Sequence, residues 1–190
     1  MGLFGWIFVG VLVVAAIWGV AIYNRLVRLR ALVKEGFSGI TVQLRRRADL
    51  IPNLVSTVEG YATHERGVLT EVTAHRADAT SAKGVAATAQ ADNAFSAMLG
   101  RLMAVAEAYP DLKADDNFRQ LQEELSEIEE HLQSARRYYN ATVRDLNTRV
   151  QSFPDVMFAR PMGFAEEEFY ADDDASIQSA PVVKFGAAKA

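Results

Sequence analysis

The chain has 190 residues, 20 Lys/Arg against 24 Asp/Glu, a formal net charge of −4, 50% hydrophobic residues and no cysteine. Without cysteine it builds no disulfide and no thiolate site, and nucleic-acid binding calls for a basic domain, which this is not. The charge is uneven: residues 23–47 carry seven Lys/Arg and one acid, Glu35, whereas residues 48–190 carry 13 Lys/Arg and 23 Asp/Glu.

Leu3 to Ile22 reads LFGWIFVGVLVVAAIWGVAI, with neither charge nor proline. A helix needs about 20 apolar residues to cross a hydrocarbon core of roughly 30 Å, and Trp6 and Trp18 lie toward the two ends, where indoles favour the interface. Leu3, Trp6, Val13, Trp18 and Ile22 therefore mark a membrane-spanning anchor over residues 1–23. It is expected to be retained. No Lys or Arg precedes it, as a cleavable signal peptide would require; no Cys serves a lipoprotein route; and Trp6 stands where myristoylation wants Ser or Thr. The basic residues crowd the other side, at Arg25, Arg28, Arg30 and Lys34 and again at Arg45, Arg46 and Arg47. The positive-inside rule then puts the bulk of the chain in the cytoplasm, and basic residues beside the bilayer attract anionic lipid.

From Leu26 through Val33, Phe37, Ile40, Leu44, Ala48, Ile51, Val55, Val58 and on to Leu69 and Val72, apolar residues recur mainly at steps of three and four, a helical stripe. Pro52 interrupts it, so the helix either kinks there or ends near Asp49, with Asp49 and Asn53 serving backbone groups that the proline leaves open. The stripe keeps its phase across Pro52, which favours a kink. Residues 79–93 are small and polar, a loose connection or weak helix. Helical spacing resumes over 94–108 with Phe95, Met98, Leu102 and Val105, and a capped helix is predicted from Asp115 or Asp116. Its stripe runs from Phe118 through Leu125, Leu132, Tyr139 and Leu146 to Val150, over roughly 50 Å at about 1.5 Å per residue. Such stripes pack at shallow angles, as in coiled coils and bundles. The predicted architecture is all-α: a transmembrane helix continuing into an elongated, antiparallel, up-and-down bundle of three to four long helices over 24–153. An aromatic segment, 154–170, folds back on the bundle, and 171–190 reads as a mobile tail.

These residues resemble the LemA family. The similarity lies in YNRLVRLRALVKEGFSGITVQLRRRADLIPNLVSTVEGYATHE (Tyr23 to Glu65), RLMAVAEAYPDLKADDNFRQLQEEL (Arg101 to Leu125), ARRYYNATVRDLNT (Ala135 to Thr148) and FPDVMFARPMGF (Phe153 to Phe164). The resemblance implies a membrane-anchored antiparallel bundle of a bacterial cell (inner) membrane, and it implies no reaction. A relative participates in building magnetosome membranes, which implies a role in membrane organisation. Some relatives carry a lipoprotein Cys where Ile22 stands here, which would place their domain in the periplasm or outside.

Candidate chemistry is sparse. His64-Glu65 begins a zinc-protease HExxH, but Val68 occupies the second histidine position. His64 and His75 are eleven residues apart, nearly one face of a straight helix, with Glu71 nearby; a third metal ligand is not visible. Arg45, Arg46 and Arg47 could grip lipid headgroups or an acidic partner, but they point in three directions on a helix and read as a solvated face with partners for acids such as Asp49 on neighbouring turns. No phosphate loop or nucleophile elbow is present, so no enzyme, cofactor or metal is expected. The expected function is a non-enzymatic single-pass membrane protein that self-associates and organises membrane or scaffolds partners. The alternatives are an adaptor or regulator of a membrane protease or other envelope complex, and a metal-dependent hydrolase using His64 and His75. The expected partners are the lipid bilayer, further copies of the chain and a membrane protein, but not nucleic acid. Arg25, Arg28, Arg30, Phe158, Phe164 and Phe169 are the candidate lipid or partner contacts.

Overall fold

The computed structural model describes residues 2–62 and 64–170, so the tail expected over 171–190 lies outside the described residues. The described residues hold six helices and no strand: α1 (Leu3–Glu59), α2 (Arg66–Ser81), α3 (Val85–Glu107), α4 (Pro110–Ala114), α5 (Asp116–Gln151) and α6 (Val156–Ala159). At about 1.5 Å per residue, the 57 residues of α1 extend roughly 85 Å. Its first part is long and apolar enough to cross a membrane, and Phe4, Trp6, Val13 and Trp18 are exposed there. From Ile22 onward the same helix becomes the central element of a bundle.

Helices α1 and α5 run antiparallel in one register. A Cβ on Gly36 would meet Tyr139 Cα at 3.1 Å, one on Gly39 would touch Ala135, Arg47 reaches Glu129, and Tyr61 reaches Asp115. At Gly36 the two helices lie so near that even a methyl group would press on the Tyr139 backbone. Asp115 caps α5 by accepting from the Phe118 amide at 2.9 Å. That bond, with the Tyr61 hydroxyl donating at 3.0 Å, holds the Asp115 carboxyl below the usual carboxylate range.

Three expectations are corrected or resolved. The long stripe is not one helix through Val72. α1 stops at Glu59, and a separate helix, α2, starts at Arg66, packs back on α1 and pairs with α3. The loose connection shrinks to Ala82–Gly84, with Gly84 at φ 84, and α3 begins at Val85. Its alanines are the strongest helix formers, and its first two turns bury Thr88, Ala89 and Asp92 before the large apolar residues Phe95, Met98 and Leu102 take over. At Pro52 the helix does not end, and it continues to Glu59. Pro52 has no N–H to offer the carbonyl of Ala48, four residues back. The guanidinium of Arg76, on α2, donates Nε–H to that oxygen at 2.6 Å. Arg76, not Asp49 or Asn53, serves the freed carbonyl, so the proline costs less and α2 is tied to α1.

The core divides into two apolar clusters. The one nearer the N-terminal segment contains Ile22, Leu26, Val33, Ile40, Leu44, Leu132, Tyr139, Leu146 and Val150. The other, at the far end, contains Ile51, Leu54, Val58, Leu69, Phe95, Leu102, Phe118 and Leu125.

Candidate functional site

Both clusters stop at one level. α1 crosses it between Leu44 and Ile51, α3 between Ala89 and Phe95, and α5 between Leu125 and Leu132. Each contributes charge there. Asp92 of α3 is fully buried, and both of its oxygens are engaged: Arg47 donates to Oδ1, Arg136 donates to Oδ2, and the Tyr170 hydroxyl donates to Oδ2 at 2.6 Å. Arg47 is 1% exposed, donates to Ser96 Oγ and to Glu129 Oε2 at 3.0 Å each, and lies over the Phe95 ring at 5.0 Å. Arg47 is therefore not part of a solvated face; Arg45 and Arg46 are exposed, as the sequence suggests. A buried carboxylate survives only when its lost hydration is replaced by opposite charge and hydrogen bonds, and two guanidinium groups and a phenol provide that here.

Tyr170 reaches Asp92 because the chain returns along α5 after α6. Asn147 donates to Glu167 O and accepts from Glu167 N, both at 2.9 Å. Asn140 does the same for Tyr170, accepting at 2.9 Å and donating at 3.1 Å. The geometry fits: seven helical residues rise about 10.5 Å, and three extended residues cover about 10 Å. Two asparagine amides seven apart thus act as one edge of a strand ladder. Between them the Tyr139 hydroxyl donates to Glu168 O at 2.7 Å. Burial first, then Glu167 and Glu168, pushes the Tyr139 hydroxyl up to about 12. Burial and then Asp92 raise Tyr170 further, against the opposing pull of Arg136 and Arg47.

α3 and α5 leave a cleft of about 460 Å³ above this layer, with Arg47 at its floor and Leu99, Met103, Leu125 and Ser126 among its walls. The other candidates are dispersed. His64 lies in the turn after α1 and His75 on α2, so the two do not share a helix. Among the described residues no group of three His, Asp or Glu is placed to hold a metal ion. Phe164 is buried, edge-on to Tyr23 at 5.8 Å and under Arg30 at 4.7 Å, so its ring is committed to the fold, while Arg30 itself is half-buried. Phe158 is half-buried and Phe169 is exposed; Arg25 and Arg28 are exposed on α1.

Residues 36–185 match the LemA family model. The chain belongs to the LemA family. Among its relatives, magnetosome protein MamQ 2 of Paramagnetospirillum magneticum and magnetosome protein MamQ of Magnetospirillum gryphiswaldense are each 25% identical over 179 residues, covering 80% of this chain and 66% of their own length. Protein LemA of Metamycoplasma hominis is 26% identical over 135 residues, covering 68% of this chain and 60% of its own. This LemA-family chain thus spans under two thirds of the length of these relatives. The matched region contains all the charge-layer residues and both asparagines.

Proposed function

We propose that this LemA-family protein is a non-enzymatic, single-pass membrane protein whose bundle self-associates to organise membrane or scaffold partners. The observation that carries this is the continuity of α1, in which an apolar segment able to cross a membrane becomes, without a break, the central helix of the bundle. Such a link leaves little freedom between anchor and bundle and suits lateral assembly. Exposed Val27 and Val42 on α1 and Tyr138 on α5 offer apolar surface along the sides. Both oxygens of the buried Asp92 are taken up by Arg47, Arg136 and Tyr170, which supports a structural rather than a catalytic use of that carboxylate. The similarity to magnetosome proteins also favours a membrane-organising role. By the positive-inside rule, Arg25, Arg28, Arg30 and Lys34 put the bundle on the cytoplasmic face of the cell membrane. A monomer has a mass of 20.9 kDa. Light scattering on the detergent-purified protein should give a multiple of that mass, and a monomer at high concentration refutes self-association. A second reading, an adaptor for a membrane protein, draws support from the α3–α5 cleft. It predicts a foreign protein in stoichiometric amount in pull-downs, where the first reading predicts mainly copies of this chain.

A further inference from the structure

The register of the bundle fixes the height at which it meets the anchor. Carrying the Gly36–Tyr139 approach twelve residues along both antiparallel helices sets Gln151, the last residue of α5, against Asn24. Direct contacts agree: Phe164 lies on Tyr23 and donates its amide to Ala159 O at 2.9 Å, while Ile22 shares the lower core with Val150 and Ala159. The turn Ser152–Gly163, containing α6, therefore lies where the apolar run of α1 ends at Ile22. That turn displays apolar side chains outward. Phe153 is 79% exposed, Met157 63% and Met162 39%, with exposed Arg160 among them. On α1, just before Ile22, Trp18 and Val20 are also exposed and belong to the apolar surface of the anchor. Arg25 and Arg28 stand exposed just above, with no ion-pair partner among the described residues.

We propose that the α5–α6 turn is a membrane foot: Phe153, Met157 and Met162 enter the headgroup–acyl boundary beside the anchor, and Arg160, Arg25 and Arg28 meet anionic headgroups. The occupant is the bilayer because the patch is continuous with the surface that the anchor gives to lipid, and because apolar residues flanked by basic ones are what an interfacial contact uses. The foot is made by residues far from the anchor in sequence, brought to its base by the antiparallel return of α5. It rests on the reading of Leu3 to Ile22 as a span, and the test separates the two.

The chain has no cysteine and two tryptophans, Trp6 and Trp18, both in the anchor. Single variants Phe153→Cys, Met157→Cys and Phe169→Cys, all at exposed positions, take an environment-sensitive fluorophore in the full chain. They are reconstituted in vesicles of phosphatidylcholine and phosphatidylglycerol, with and without lipids brominated near the headgroup end of the acyl chain. Labels at 153 and 157 should be blue-shifted and quenched several-fold more than the label at 169, which sits at the distal end of the returning segment. Quenching of Trp18 without quenching at 153 and 157 leaves the span standing and overturns the foot. A blue shift at 153 without bromine quenching means that protein covers the patch, and also overturns it. Unquenched tryptophans overturn the span itself, and the foot with it.

Discussion

Substituting Asp92 isolates the charge layer, because Asp92→Asn changes charge with almost no change in volume. In the wild type, Arg47 and Arg136 face Asp92, and Arg47 also faces Glu129. Asparagine leaves Arg47, 1% exposed, with only Glu129 as a charged partner, and leaves Arg136, 14% exposed, without its Asp92 carboxylate. Removing one partner of a buried ion pair typically costs about 3–5 kcal/mol. For a chain of 150–250 residues that corresponds to a fall in Tm of roughly 6–20 °C. Arg47→Met should cost less. Asp92 keeps Arg136 and Tyr170, while Glu129, 38% exposed, can turn to water. Replacing the layer as a whole, with Arg47→Met, Asp92→Leu, Arg136→Met and Tyr170→Phe together, should recover most of the loss, since apolar replacements of entire buried ion groups are often neutral or stabilising. The assay is thermal and urea unfolding of the detergent-solubilised full chain. A loss below about 1 kcal/mol for Asp92→Asn, or a larger loss for Arg47→Met than for Asp92→Asn, would refute the account.

Two further outcomes follow from single contacts. Arg76→Met keeps the stem of Arg76 but removes its donor to Ala48 O, so the carbonyl released by Pro52 goes unpaired. A loss of about 1–3 kcal/mol in urea unfolding is expected, and it should vanish when Pro52→Ala restores the missing N–H. Tyr139 is raised in the fold to about 12 from 10.0, so the neutral phenol is the form that the fold favours. Its contribution is complete below pH 10 and is lost as pH rises toward 12, when the bond to Glu168 O loses its proton. Stability measured across that window should fall more steeply in the wild type than in Tyr139→Phe.

What was legible in the sequence is what apolar periodicity encodes. The uncharged run to Ile22 and the stripe of α5 read directly, and the cap of α5 reads as one of two neighbours, Asp115 or Asp116, of which the structure uses Asp115. The charge layer was missed for a specific reason: its members occupy stripe positions but are not apolar. On α1 the buried series Ile40, Leu44, Arg47, Ile51, Leu54, Val58 alternates steps of four and three, with Arg47 in a core slot. On α3, Asp92 sits three residues before Phe95 in the same manner. A count that accepts only hydrophobic residues steps past both and sees a solvated arginine and a polar linker. An arginine and an aspartate interrupting two stripes at core spacing is the signal that was available, and it points to a buried pair. The returning segment 164–170 gave less, because its partners, Asn140 and Asn147, bond backbone and leave no pattern in the segment they hold.

The same residues also explain why the bundle needs its C-terminal return. Asp92 is neutralised only when α1, α3, α5 and Tyr170 meet, so the layer requires the registers of three helices and of the returning segment at once. Apolar contacts tolerate sliding by one turn along a stripe, whereas a buried carboxylate does not, since one turn of α-helix is about 5.4 Å, beyond the reach of any of these hydrogen bonds. The layer therefore fixes register between two apolar clusters that would otherwise permit several. Once that register is set, the height of the turn after α5 relative to Ile22 is set with it, and so is the placement of Phe153 and Met157 at the base of the anchor. The charge layer midway along the bundle and the apolar foot at its base are thus linked by geometry, although no contact joins them. On this reasoning Asp92→Asn should loosen not only the middle of the bundle but also the position of the foot, which the quenching of a fluorophore at residue 153 would report as a weaker and more heterogeneous signal. An unchanged signal in a destabilised Asp92→Asn protein would mean that the lower core alone, through Ile22, Val150 and Phe164, suffices to hold the foot in place.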